Sequence, residues 1–383
     1  MKKIRLFRVA NVPGALYNVL SGQLKYISQN SDFEVIAVSK KSLNLNLITS
    51  QESVLTRGIY MTRGINPLVD VVSLFQMVYL ILKYRPYIIH SHTPKAGFIS
   101  MLAGCICRTP VRIHTFTGLI FPTANGLFKI ILLLIDKITC LCSNVIIAES
   151  FGVRNQLLAG SVTKKDILVL CDGHINGVDL NYFNRSSISE NPIFLKRSLG
   201  ILDKDIVISF IGRINHDKGV DSLVSVFLSL ASSHKNIKLL VVGPIDDSGR
   251  PITSKTMAEL QSNPNIIYVG YQADVRKYFM ITDIFVLPSF REGFPGVLLQ
   301  AGALEVPSIV TDVPGSNEVI SHNINGYVYP PSDDDRLTEL LDHLIVHPEV
   351  RITFSRNCRS IISDKYSSMR IWSATLSLYR KYL

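Results

Sequence analysis

Short apolar runs rich in Ile, Val and Leu alternate along this chain with longer segments of helical periodicity, and turn residues separate the two. Runs of this kind are the mark of strands buried on both faces, as in parallel sheets covered by helices. In the first half they fall at 4–10, 33–39, 58–61, 87–92, 111–115, 145–149 and 167–170. A polar stretch at 185–192 interrupts the pattern, which restarts at 206–211, 237–242, 266–269, 284–287, 308–311 and 327–329. The spacing predicts helices from about Val220, over 297–304 and over the apolar segment 127–138, and a last helix over 366–383 that carries the only Trp, Trp372. Strands alternating with helices predict an α/β chain with two doubly wound sheets.

The 383 residues are 47% hydrophobic and 18% charged, enough to bury two ordinary cores. The expected division is 1–185, 186–365 and a C-terminal helix 366–383 that crosses back to the first domain. No internal repeat is visible, and no G-x-G-x-x-G follows the first strand, which argues against a dinucleotide oxidoreductase. Four of the six cysteines, Cys105, Cys107, Cys140 and Cys142, form Cys-x-Cys pairs in apolar segments, with Cys171 and Cys358 apart. None has zinc-site spacing, so buried reduced thiols are expected. The basic N-terminus MKKIRLFRVANVPG has too short an apolar stretch for a secretory segment, and a cytoplasmic protein is expected.

The net charge of +10 is unevenly placed. Residues 1–185 hold 20 Lys+Arg against 9 Asp+Glu, or +11, and residues 186–383 hold 20 against 21, or −1. A basic half beside a neutral half suits an anionic partner such as a membrane leaflet or a diphosphate-linked lipid. No zinc-finger, RNA-recognition or Lys/Arg-rich cluster accompanies it, so no nucleic-acid partner is expected. The apolar runs 71–82 and 130–135 fall short of the roughly 20 residues that span a bilayer, so contact with an anionic membrane would be peripheral.

Two segments carry the chemistry. SFREGFPGVLLQAGALEVPSIVTDVPGSNE, 289–318, sets Glu292 and the turn Gly293-Phe294-Pro295-Gly296 between a predicted strand and a helix start. Unpaired N–H groups and the positive helix end at such a turn can bind phosphate or polarised sugar oxygens. Earlier, the strand 206–211 runs into Gly212-Arg213-Ile214-Asn215-His216-Asp217-Lys218-Gly219, which places two cations on a glycine-flanked loop. Together these segments resemble the donor-binding signature of retaining glycosyltransferases of family four, with its G-R-x-x-x-x-K-G loop and its two glutamates separated by seven residues. Here the second glutamate position holds Gln300, whose carbonyl still accepts a ribose hydroxyl at a cost of roughly 1–2 kcal/mol relative to a carboxylate.

The resemblance implies the GT-B fold, two Rossmann-like domains facing a cleft. It implies transfer of a sugar from a nucleotide diphosphate, a UDP-sugar, with retention of configuration, as a hexosyl- or N-acetylhexosaminyltransferase. It assigns Arg213, Lys218 and Glu292 to catalysis, the cations gripping the diphosphate without a metal ion and Glu292 holding the sugar. Gly212, Gly293, Phe294, Pro295, Gly296, Gln300 and Glu318 fall to donor binding. On the acceptor side it places Gly14 and two loops read as following buried strands, the first with His92 and Lys95, the second with His114, Thr117 and Gly118. Thr117 stands where many family members carry a histidine, and His114 reads equally as a buried strand residue. The turn GHINGVD, 173–179, resembles one that closes the first domain in the family. Among relatives the likeness is to bacterial enzymes of capsule or O-antigen assembly, which implies an undecaprenyl-diphosphate-linked or other saccharide acceptor and peripheral association with the inner membrane face. A sugar-nucleotide 2-epimerase of the same fold and a non-catalytic nucleotide-sugar-binding relative are the alternatives.

Overall fold

The computed structural model describes residues 3–62, 64–246 and 250–383. It divides into two compact units, Met1–Gly177 together with Ser368–Leu383, and Val178–Ser367. Each of the short runs read above as a strand holds or overlaps one, because Ile- and Val-rich segments buried on both faces have no amphipathic alternative, whereas the apolar runs 71–82 and 130–135 lie in helices.

In the first unit the strands are β1 (Ile4–Val9), β2 (Phe33–Lys40), β3 (Leu55–Ile59), β4 (Ile88–His92), β5 (Val111–Phe116), β6 (Val145–Ala148) and β7 (Ile167–Leu168), all parallel in the order β3-β2-β1-β4-β5-β6-β7. Successive residues of β1 point to opposite faces, so Leu6 joins Val35 and Ile113 in one core layer while Phe7 joins Ile36 and Ile89 in the other. The second unit holds β8 (Ile206–Ile211), β9 (Ile237–Val242), β10 (Ile266–Tyr268), β11 (Ile284–Leu287), β12 (Ser308–Thr311) and β13 (Gly326–Tyr329), parallel in the order β10-β9-β8-β11-β12-β13. One core that includes Ile208, Phe210, Val241, Phe285 and Leu341 covers both faces of this sheet. The strand order reverses between β1 and β4 and again between β8 and β11, and it is beyond the carboxyl ends of strands at such reversals that open α/β sheets bind ligands.

Residues 178–185 group with the second unit, ahead of the polar stretch at 185–192. Arg359 donates to the carbonyls of Phe183 at 2.9 Å and Leu180 at 3.0 Å, and Val178 N donates to Tyr366 O at 2.9 Å. Cys140, Cys142 and Cys358 are buried thiols, but Cys105 is exposed, because it sits on the outward side of the helix Pro94–Ile106.

The helix Pro67–Tyr84 starts where Asn66 accepts from Val69 N at 3.2 Å with Pro67 in its first turn, and stops at Arg85 in the left-handed conformation ahead of Pro86. At 18 residues it is the one helix among the described residues long and apolar enough to cross a membrane by length and composition, although neither apolar run noted above reached that length. It nevertheless buries Ser73, Met77, Leu80 and Ile81 in the first unit.

The last helix, Ser368–Lys381, belongs to the first unit and closes a buried polar cluster there. Arg8 on β1 is fully buried and donates to Tyr379 Oη at 3.0 Å and to Gln23 Oε1 at 2.6 Å, with His92 Nε2 at 2.9 Å. The same Tyr379 hydroxyl meets His90 Nδ1 at 2.5 Å, and His90 Nε2 meets Thr115 Oγ1 at 2.7 Å. Tyr379→Phe keeps the ring but removes one partner from a buried guanidinium and the partner of His90 Nδ1. It is expected to lower unfolding stability by about 2–3 kcal/mol, read from the urea midpoint, whereas a cost below about 0.5 kcal/mol would show that the hydroxyl is dispensable.

Candidate functional site

The loops that leave β8 and β11 meet at the reversal point of the second sheet. Gly219 ends the first loop with φ +70°, and a Cβ there would come within 2.0 Å of Pro288 O, so only glycine allows the two loops this approach. Phe290 N donates to Asp217 O at 3.0 Å, which ties the loops a second time. Asn215 caps the turn His216–Lys218 by accepting from Lys218 N at 3.1 Å, and this fixes the base of the Lys218 side chain.

Lys218 Nζ forms an ion pair with Glu292 Oε1, with side-chain exposures of 18% and 10%. Each charge compensates the other in a poorly solvated place, so removal of either leaves a costly residue behind. Arg213 is half exposed and pairs with Asp246, which lies just past β9. Asp217 is held by Arg250 at 2.8 Å and by Arg291 at 3.2 Å. Partial burial raises its pKa, but the hydrogen bond from Arg250 and the charges of Arg291 and Arg250 outweigh this and hold the carboxyl below its ordinary range.

Beyond Glu292, the turn Gly293-Phe294-Pro295 leads into the helix Gly296–Ala303, whose first turn no side chain caps. Phe294 is buried, with its ring 5.4 Å from that of Tyr366, and anchors the turn. Gln300 lies half-buried within this helix. Glu318 sits on the short helix Ser316–Val319 and accepts from Gly315 N at 3.3 Å. A Cβ on Gly315, at φ +76°, would come within 2.6 Å of Gly293 O, so Glu318 rises from a backbone pressed against the Gly293 turn. Gly212 closes β8 by donating to Val242 O at 2.9 Å. The second unit thus sets Lys218 and Arg213, each paired with a carboxylate, on one loop and Glu292 ahead of an open helix end where strand order reverses, an arrangement suited to an anionic diphosphate and a hydroxyl-rich group.

Sequence reasoning missed Asp246, Asp217 and Arg250 as charge partners, because none stands in a recognisable spacing with Arg213 or Lys218. It also missed the buried hydroxyls of Ser289 and Ser316, which have no hydrogen-bond partner and adjoin this region in the chain.

In the first unit the residues expected on the acceptor side lie in different settings. Gly14 lies beyond β1 just before the turn Ala15–Val19, and Asn11 N donates to Thr93 Oγ1 at 3.2 Å, linking the loops after β1 and β4. Thr93 has φ +71°, a strained value for a β-branched residue and one no sequence pattern signals. Lys95 is engaged by Asp70 at 2.6 Å, by Thr62 Oγ1 at 3.0 Å and by Gly64 O.

His92, read as opening a loop, ends β4, and His114, read either as part of a loop or as a buried strand residue, lies within β5. His92 is buried against Arg8, and burial, then the charges of Arg8 and His114, keep its pKa well below the usual value. His114 is buried in β5 with Nδ1 2.9 Å from Ser91 Oγ, its ring pressed on the helix glycine Gly97, and burial lowers its pKa to about 3. The loop beyond β5 therefore starts with Thr117 and Gly118.

Comparisons with known proteins bear on the family and the fold. A family model described as "Glycosyl transferases group 1" matches residues 193–360. The capsular polysaccharide biosynthesis glycosyltransferase CapM of Staphylococcus aureus is 30% identical over 100% of this chain and 98% of its own. A UDP-Gal:alpha-D-GlcNAc-diphosphoundecaprenol alpha-1,3-galactosyltransferase of Escherichia coli is 22% identical over 98% of this chain and 97% of its own. Among solved structures, Anabaena HepE in complex with UDP aligns with a TM-score of 0.79 at 16% identity, covering 99% of this chain and 100% of that one.

Proposed function

Because this chain belongs to the group 1 glycosyltransferases, and its fold is the GT-B fold of two doubly wound domains, we propose that it transfers a sugar from a UDP-sugar to a hydroxyl of a lipid-linked saccharide during surface polysaccharide assembly. One observation supports the donor side of this reading: the loops after β8 and β11 pair Lys218 with Glu292 just ahead of the helix Gly296–Ala303 at the sheet's reversal point, with Arg213 on the same loop as Lys218. The acceptor class rests on the likeness to CapM and to the diphosphoundecaprenol-dependent galactosyltransferase, and on the basic excess of the first half.

In this reading the bond from the sugar's anomeric carbon to the diphosphate oxygen breaks while the acceptor oxygen bonds the same carbon on the same face. The acceptor's proton passes to a phosphate oxygen of the departing UDP, so configuration is retained and no protein nucleophile is needed. Arg213, Lys218 and the helix start stabilise the charge that develops on the diphosphate, a preorganised electrostatic task that needs no metal ion. Glu292 orients the sugar hydroxyls, and Gln300 accepts a ribose hydroxyl. Membership of a transferase family favours transfer over the reading as a 2-epimerase, a class that shares this fold.

The donor site is tested by melting the purified chain with UDP, GDP, CMP and ADP in EDTA. A nucleotide at a hundred times its dissociation constant stabilises by about 2.7 kcal/mol, and UDP is expected to do so selectively. A melting temperature unmoved by all four would overturn the donor reading.

A further inference from the structure

The helices Pro67–Tyr84, Pro94–Ile106 and Gly126–Cys142 of the first unit, with the loop that follows β5, enclose a cavity of about 760 Å³. Leu74, Phe98, Leu102, Leu132 and Ile135 form much of its wall. Its charged groups are few. Asp70 and Lys95 neutralise each other, and Asp136 is 8% exposed on an apolar wall where burial raises its pKa to about 7. Near neutral pH this carboxyl takes up a proton readily, which lowers the cost of hydrocarbon beside it.

The mouth of the cavity is also apolar. Ile65, Val71, Ile120 and Phe128 line it while remaining 41–52% exposed. From there the apolar surface continues along the outward stripe of Pro67–Tyr84, where Leu68 is 82% and Phe75 69% exposed, and over the start of Gly126–Cys142, where Leu127 is 72% and Ile130 62% exposed. Contiguous exposed apolar surface of this kind marks an interaction site rather than ordinary protein surface. The charges on the same two helices are sorted: Lys83, Lys129 and Lys137 are exposed, while neither Asp70 nor Asp136 is. Helices that expose apolar side chains and lysines but no carboxylate complement an anionic lipid leaflet.

We propose that this cavity binds the first isoprene units of the polyprenyl chain of a lipid-linked acceptor, which enters it from the bilayer against which the two helices lie. The inference deepens the lipid-linked reading above and rests on it. At roughly 30 Å³ per water-sized heavy atom the cavity holds about 25 such atoms, or about five isoprene units of a single chain. The head group has a place as well. Phe116 and Gly118 line the cavity and flank Thr117, so the chain's diphosphate end would emerge beside the loop after β5, at the carboxyl ends of the strands.

The test uses the full-length protein and a farnesyl diphosphate probe with a benzophenone tail, in vesicles containing phosphatidylglycerol. Light-induced label is expected on the peptides spanning 94–106 and 126–142, competed by undecaprenyl phosphate and not by extra phosphatidylglycerol. Leu132→Trp fills the cavity and is expected to cut labelling at least tenfold while the UDP-induced shift in melting is retained; Leu132→Ala is expected to keep the label. Labelling spread over the outer helices, displaced by phosphatidylglycerol or unchanged in Leu132→Trp, would overturn the proposal. So would transfer to polyprenyl-diphosphate-linked saccharides whose dependence on chain length is the same in Leu132→Trp, which leaves the acceptor reading standing. Failure to use any polyprenyl-linked saccharide, with UDP binding intact, would overturn the acceptor reading and this inference together.

Discussion

Lys218→Ala is expected to lower kcat by roughly 10²- to 10³-fold, the loss typical of removing one preorganised group from a developing oxyanion. The ammonium is positioned by the Asn215 cap beneath it and by Glu292 opposite it, so no reorganisation is required as the diphosphate departs. Its removal also leaves the Glu292 carboxylate unpaired at 10% exposure, which works against the negative donor. Glu292→Gln is expected to lose activity on a similar scale, because the sugar hydroxyls lose a charged acceptor and Lys218 loses its counter-charge. Since the two side chains act as one pair, Lys218→Ala/Glu292→Gln should cost less than the product of the single losses. Steady-state transfer rates with UDP binding measured in parallel decide the matter. Near wild-type kcat in either single variant, with the fold intact, sinks the assignment.

The first unit is expected to be acid-labile, losing on the order of 5 kcal/mol of stability between pH 7 and pH 5. Four histidines there, His90, His92, His114 and His174, are buried and held neutral. Burial is the main cause in each; for His90 the charges of His92, Arg8 and His114 add to it. His114 is lowered to about 3 and His174 to about 4.

The unfolded chain takes up protons at these rings as pH falls through about 6.5, and the folded chain does not, so stability is complete above that pH and falls below it. Each such ring costs about 1.4 kcal/mol per pH unit across the window between its two pKa values. Asp136 acts in the opposite sense, since a folded pKa of about 7 lets the native state bind a proton first as pH falls, but it is one carboxyl against four imidazoles. Urea midpoints at pH 7.5, 6.5, 5.5 and 5 measure the slope. A flat profile down to pH 5 would show that these rings ionise inside the folded protein.

The sheets were legible because a parallel strand covered by helices on both faces must be apolar at nearly every position. A run such as Ile206–Ile211 admits no other reading, and its boundaries agree with the structure to the residue. The loop Gly212–Gly219 and the turn Gly293–Gly296 were legible for a related reason: close backbone approach demands glycine, and glycines at fixed offsets from a cation or a carboxylate leave a local signature. His92 and His114 were harder to place, because a histidine beside a strand end reads the same whether it faces solvent or a buried Arg8 cluster. The long apolar helix was harder still. Pro67–Tyr84 is apolar nearly all round, and periodicity alone does not tell its buried face, with Met77 and Ile81, from its exposed one, with Leu68 and Phe75.

The sequence by itself determined the fold class, the strands and the two glycine-flanked loops that carry the candidate chemistry, since each depends on residues near one another in the chain. Only the tertiary structure decided which charges meet. Lys218 and Glu292 are 74 residues apart and Arg213 and Asp246 are 33 apart, and they pair because β8 lies between β9 and β11 in the sheet. Strand order is set by how whole βαβ units stack their apolar faces, a property of the assembled core that no local spacing encodes. The same holds for the cavity beside β5, whose walls come from three helices and a loop that only packing brings together.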